Sequence, residues 1–426
     1  MNKKILLLPL ATLVLGATGC GGAGKDNYSD NKKLKIRFHV DAKSTEGQAY
    51  AKMIDNFNHD NGEGIRVTAT FVARSAGDTA YDTQLAKDKR QNTLPDIVTF
   101  DAPRCATYAA YDYFYDLTNV FTSAEKAKFI TTNTYKGRMY GVPIQESSAG
   151  FFINKNIFNN LHIDVSGYTV DNPWTYDQFK DICRQLKDAG VTPVDMQVYN
   201  TTSEMATYLL YPFIYASGGS FVDETGKRAI GYFNSEGSIR GFQFIKDLIS
   251  SGYTGYSIGP TDFFDGRVGM YLSSGWTIPD LDKKYTEVFH NRDEWALLPY
   301  PKDVTRASAN GSWCYAMGKT SRKDKTNVIK LLKYITNAES SRAITTATGM
   351  IPANVDAQKT YPTNSPEDVL IQQLNKTSVK RPETVGYKQF SDYFRMVISQ
   401  LDKSDVRSNV NNKAQLLQSE LDKIKV

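Results

Sequence analysis

The chain has 426 residues, a net charge of +5 and 41% hydrophobic residues. That length exceeds one ordinary core and points to two domains, while the small charge and the lack of a dense Lys/Arg face exclude a nucleic-acid binder. The 26 tyrosines and 21 phenylalanines exceed what cores require and favour aromatic contact surface.

In chain order, the N-terminus reads as targeting rather than structure. Lys3-Lys4 form a basic start, Ile5 to Leu15 an apolar run too short to span a bilayer, and small residues 16–19 lead to Cys20. This resembles a bacterial lipoprotein signal, with Ala17 where that signal usually has Leu. Residues 1–19 would be the signal peptide and Cys20 the lipidated mature N-terminus. Residues 20–33, mostly Gly, Asp, Asn and Lys, read as a flexible tether. No later stretch is apolar enough to cross a membrane, so lipid on Cys20 would hold the mature protein to the cell membrane, facing outwards.

Leu34, Ile36, Phe38 and Val40 alternate with polar residues and predict a strand, with His39 on its solvent face. Tyr50, Met53, Ile54 and Phe57 predict an amphipathic helix that Asn61-Gly62 ends. Arg66 to Phe71 and Asp96 to Phe100 predict further strands. A strand–helix–strand unit implies an α/β protein with a parallel sheet, and loops at the carboxyl ends of such strands bind ligands. Thr175 and Gln178 are spaced as a capping box opening a helix that Gly190 stops. That helix carries Cys183 on its apolar face as a buried thiol. With Cys20 set aside, Cys105, Cys183 and Cys314 make no full disulfide framework, and a Cys105–Cys314 bridge stays open. Further helices are predicted after Asn234-Ser235, from about Lys325, and at the C-terminus.

The motifs for bond chemistry are missing. The four histidines are scattered and the cysteines unpaired, so neither a metal nor a cofactor site is expected. Neither a phosphate-binding glycine loop nor a nucleophile elbow occurs. Asp101, Glu146 and Glu204 fall in predicted loops, where they could serve hydrolysis at a suitable spacing or, with fewer demands, accept hydrogen bonds from hydroxyls. Trp276 in Ser273-Ser274-Gly275-Trp276 and Trp313 in Asn310-Gly311-Ser312-Trp313 each stand beside glycine. Glycine frees the backbone and lets a ring stand at a rim, where indole stacks on the C–H face of a sugar.

The order of segments resembles the maltose-binding-like family of extracellular solute-binding proteins of carbohydrate ABC importers. Leu94-Pro95-Asp96-Ile97-Val98 is similar to the family's "P-D-hydrophobic" strand, and Gly137-Arg138-Met139-Tyr140-Gly141-Val142-Pro143 with Phe151 to Lys155 to its first crossover. Pro173-Trp174-Thr175-Tyr176, Gly218-Gly219, Phe233-Asn234-Ser235, Phe264 to Met270 with Gly275-Trp276, Leu298-Pro299 and Ile351-Pro352 follow in the family's order. The resemblance runs from about residue 34 to the C-terminus.

It implies a periplasmic-binding-protein-like α/β fold of two lobes joined by crossover hinge strands, with a ligand cleft between them. The N-terminal lobe would comprise 34–143 and 301–350, the C-terminal lobe 144–300 and 351–426, with the first passage near 141–144. The implied function is a monomeric receptor, not an enzyme, that captures a di- or oligosaccharide and delivers it to the permease subunits of an ABC transporter. The same fold with an amine or peptide as cargo, or a surface glycosidase or lyase, are the alternatives. The implied ligand-binding residues are Asp41, Glu46, Asp101, Arg104, Glu146, Ser147, Glu204, Tyr208, Trp276, Trp313 and Tyr387. Trp276 falls at the family's sugar-stacking position and Tyr387 where another stacking aromatic often sits. Trp276 and Trp313 would face one cleft from opposite lobes.

Overall fold

The structure, a computed structural model, describes residues 30–74 and 78–426. The expected signal peptide, the lipidation site Cys20 and the tether up to residue 29 lie outside the described residues. Thirteen strands are described: β1 Lys33–Phe38, β2 Arg66–Phe71, β3 Ile97–Asp101, β4 Asn133–Tyr135, β5 Arg138–Ser147, β6 Ala149–Asn154, β7 Thr192–Asp195, β8 Val268–Ser274, β9 Trp295–Leu298, β10 Ser308–Ala309, β11 Gly311–Met317, β12 Ile351–Pro352 and β13 Ser378–Val379. Seven form one sheet, in the order β12-β5-β11-β3-β1-β2 with β4 added on β5. Four form a second sheet, β7-β8-β6-β9, and β10 pairs with β13.

Local sequence accounts for the first unit. Leu34, Ile36 and Phe38 point inward from β1. The Thr45–Asp60 helix starts at Ser44, whose side chain accepts from the Gly47 amide at 3.0 Å, and it buries Tyr50, Met53, Ile54 and Phe57. β2 then pairs parallel to β1 from Lys33↔Arg66 to Phe38↔Phe71. In the second unit, Thr175 and Gln178 form both halves of a capping box ahead of the Tyr176–Asp188 helix.

Two expectations need correction, and one open question closes. The chain is already held from Asp30, because Asn31 donates to Asp324 at 3.0 Å and Asn327 to the Asn31 carbonyl at 2.8 Å, so residues 30–33 are not tether. His39 is buried, not solvent-facing: the Asp78–Arg90 helix covers that face and Tyr81 stacks on the imidazole with centroids 4.2 Å apart. Burial pushes the His39 imidazole down to about 3, so it stays neutral. Cys105, Cys183 and Cys314 are all buried free thiols, and the Cys105–Cys314 bridge is not formed.

The sheets are linked by one long strand. β5 stays in the first sheet as far as Ser147, opposite Gly311, and Ala149 already pairs with Ser274 in the second. Sheet membership therefore puts the first passage at Ser148, later than near 141–144. β11 and β12 lie on either side of β5.

Asp96 of the "P-D-hydrophobic" strand serves the scaffold. Its carboxylate accepts from the Lys35 amide at 2.9 Å and from the Arg322 Nε at 2.8 Å, and both charged side chains are 1% exposed or less. Breaking a buried pair strands the other charge. Arg322→Met is expected to lower unfolding free energy by about 3–5 kcal/mol in urea denaturation, whereas a loss under 1 kcal/mol would show that the pair behaves as a surface one.

Candidate functional site

Asp101 ends β3, at the carboxyl edge where open α/β sheets hold ligands. Trp313 of β11 lies directly across the ladder from it. The other strands put more groups nearby. Glu46 stands in the first turn of the Thr45–Asp60 helix, and Arg74 follows the end of β2. Arg74 grips Glu46 with two hydrogen bonds of 2.7 and 2.9 Å, and its guanidinium centre lies 3.9 Å from the centroid of the Trp313 ring. His39 meets the same ring edge-on at 5.6 Å.

From the other side comes the Glu204–Ala216 helix, opened by Ser203, whose side chain accepts from the Met205 amide at 3.3 Å. Glu204 sits in its first turn, where the helix dipole favours a carboxylate. Tyr208, one turn on, donates to the Ser147 Oγ at 2.9 Å. Its ring lies 6.0 Å from Trp276, which follows β8 by two residues and caps the Thr277–Lys283 helix. The two halves are joined by Arg381, from the segment between β13 and the Tyr387–Ile398 helix. Its guanidinium makes two 2.7 Å bonds to the two Asp101 oxygens and a 2.8 Å bond to Glu204 Oε1. Tyr387 donates to the same Glu204 oxygen, and Ser391 donates to Glu204 Oε2 at 2.7 Å.

The expected residues thus divide. Glu46, Asp101, Ser147, Glu204, Tyr208, Trp276, Trp313 and Tyr387 belong to one connected cluster. Trp276 and Trp313 are partly exposed, while Trp174 and Trp295 are core. Tyr387 is fully buried, so it offers its hydroxyl and not a stacking face. Asp41 is exposed and shapes the turn before the first helix, where its carboxylate accepts from the Lys43 amide at 2.9 Å. Arg104 is buried and paired with Asp82 inside the first unit. Glu146 is buried across from Ser312, on the face opposite Trp313, and accepts from Thr131 at 2.9 Å.

The glycines beside the tryptophans act differently from the expectation. Both have ordinary φ. A Cβ on Gly275 would lie 2.1 Å from the Gly349 carbonyl oxygen, and one on Gly311 would lie 2.7 Å from the Tyr208 ring. They permit close contact between segments rather than special backbone angles. Sequence reasoning also missed Arg74 and Arg381. Arg74 follows a strand's carboxyl end, the signal that located Asp101. Arg381 carried no local signal, being 280 positions from Asp101.

Two α/β lobes with a polar, aromatic-lined junction at their strand ends are the architecture of a periplasmic-binding-protein-like receptor. The family described as bacterial extracellular solute-binding protein matches residues 52–371, and the chain belongs to it. It is a family of binding proteins that work outside the cytoplasm. Among curated proteins none matches. Solved structures that are similar include the cyclic alpha-maltosyl-1,6-maltose binding protein of Arthrobacter globiformis, at 20% identity and TM-score 0.76, covering 91% of this chain and 98% of that one. An ABC transporter solute-binding protein of Thermotoga lettingae bound with alpha-D-tagatose is 18% identical at TM-score 0.75, covering 92% and 100%. The GacH receptor of Streptomyces glaucescens, solved with acarbose, is 18% identical at TM-score 0.73, covering 92% and 99%.

Glu146 gives a pH test of the crossover strands. Burial pushes its carboxyl up to about 7, outweighing the hydrogen bonds from Thr131 and Ser312. The folded state therefore holds a proton that the unfolded chain releases near its ordinary value, and this group's contribution to stability falls as pH rises through that window. Glu146→Gln mimics the protonated acid. In denaturation at pH 5 and pH 8, the variant should match the wild type at the lower pH and exceed it by roughly 1–3 kcal/mol at the higher.

Proposed function

We propose that this chain is a receptor for a neutral di- or oligosaccharide, which it hands to the permease subunits of an ABC transporter without bond chemistry. The observation that carries the reading is the pairing of partly exposed rings, Trp276 and Trp313, with arginine–carboxylate forks. Flat rings suit the C–H face of a pyranose, and a fork offers a donor beside an acceptor to neighbouring hydroxyls. Asp101 and Glu204 are both tied to one guanidinium, an arrangement that presents acceptors beside donors to hydroxyls. Glu46, Asp101 and Glu204 against Arg74 and Arg381 leave one net negative charge, which disfavours acidic sugars. Cyclic alpha-maltosyl-1,6-maltose and acarbose, named with two similar structures, support this class of cargo, while alpha-D-tagatose, a monosaccharide, supports only a neutral sugar.

In this reading Trp313 belongs to the N-terminal lobe, built on the sheet of β3, β11 and β5 up to Ser147, and Trp276 to the C-terminal lobe, built on the sheet of β6 and β8. Cargo is gripped between them as the lobes close. Lipid on Cys20 keeps the receptor, a monomer, beside its permease.

Calorimetry against maltose, maltotetraose, oligogalacturonate and spermidine tests the cargo. Binding is expected for a neutral sugar and not for the other two, and Trp276→Ala should weaken it by ~30-fold, about 2 kcal/mol. Tight binding of a charged solute with no neutral sugar bound would sink the reading. Separately, Cys20→Ser should move the protein from the membrane fraction to the medium or periplasm, and membrane retention of that variant would refute the anchor.

A further inference from the structure

The surroundings of Arg381 are those of a cation-binding site. Two carboxylates, Asp101 from the first sheet and Glu204 from the opposite helix, take three of its hydrogen bonds at 2.7–2.8 Å. Two aromatic rings flank it, with Tyr208 and Tyr387 centroids 5.5 and 5.8 Å from the guanidinium carbon. Paired acids with aromatic faces are the chemistry that captures guanidinium and ammonium groups. Only 3% of the Arg381 side chain is exposed, whereas 36% of Arg74 is. Among the described residues the Arg381 Nε, though buried, has no hydrogen-bond partner.

We propose that Arg381 is an internal ligand: its guanidinium fills a cation site built from Asp101, Glu204, Tyr208 and Tyr387, and by filling it makes the cleft refuse cationic cargo. Without that side chain the same acids and rings would take an amine or a guanidinium compound from solution. With it, both acids are already paired in place, and the unpartnered Nε–H is left to donate to a cargo oxygen. Arg381 is then the residue that sets specificity for uncharged against cationic solutes. This rests on the reading of the junction as the cargo cleft.

Removal with chemical rescue tests it, using ethylguanidinium and its uncharged counterpart ethylurea at millimolar concentration. Arg381→Ala should bind ethylguanidinium saturably, with a heat in calorimetry and a rise in thermal midpoint, and should not respond to ethylurea. The wild type and Arg381→Lys, whose site already holds a cation, should respond to neither. Should Arg381→Ala not fold, Arg381→Gln carries the same comparison, since its amide can bond either acid without supplying charge. A folded variant that takes up no ethylguanidinium, one that takes up ethylurea equally, or a wild type that binds ethylguanidinium as well as the variant would each overturn the proposal. Sugar calorimetry on the wild type is a separate measurement, so a failed cargo assignment and a failed Arg381 assignment are told apart.

Discussion

One guanidinium ties the end of a strand in the first sheet to the start of a helix in the other unit. Arg381 reaches Asp101 at the end of β3 and Glu204 at the start of a helix from the other unit, and each acid is placed by its own element. β3 delivers Asp101 because strands in an α/β sheet stop at the same edge. Helix geometry delivers Glu204, since an N-terminal turn tolerates a carboxylate at low cost. Tyr208 follows on the same helix, and through it Trp276 and Ser147 join the cluster. A buried charge of this kind holds only if its partners stay fixed, so the rigidity of the flanking elements is a condition of the site.

That rigidity depends on close backbone contact. Gly275 and Gly349 approach so nearly that a methyl on either would overlap the other's carbonyl oxygen, and Gly311 admits the Tyr208 ring. The tryptophans beside Gly275 and Gly311 therefore hang from segments whose backbones cannot drift apart without losing packing. β5, β11 and β12 run side by side through the same region, so whatever moves there bends three strands together. Glu146 lies inside this group of strands, where burial and not a partner charge governs its proton.

Much of the fold was legible in the sequence, and the reason is local. Alternation in Leu34, Ile36 and Phe38, the helix face of Tyr50 to Phe57, and the Thr175–Gln178 capping box each report on contacts within a few residues. Trp276 and Trp313 do stand partly exposed in one cluster, and their glycine neighbours mark close approach rather than backbone freedom. His39 was misread because alternation says which side chains share a face but not whether a helix covers it. Arg104 attracted notice by its place in a loop, yet Asp82 already holds it. Tyr387 was placed correctly near the cluster and misjudged in role, since its burial depends on packing between distant helices. Arg381 had no chance of notice, because everything that defines it comes from residues far away in the chain.

The alternation of charge through the cluster bears on what it can do. Glu46, Arg74, Asp101, Arg381 and Glu204 form a sequence of opposite signs, in which Arg74 interacts with Asp101 as well as with Glu46. Each of these carboxylates already has a guanidinium partner, so donor and acceptor stand side by side along the cluster. Planar forks lose little freedom when a hydroxyl adds to them, because the fork is already ordered. In the proposed reading, that prior order makes the cluster economical in gripping an intact, hydroxyl-bearing cargo. On that reading, the rings flanking the forks favour flat, apolar faces over extended chains.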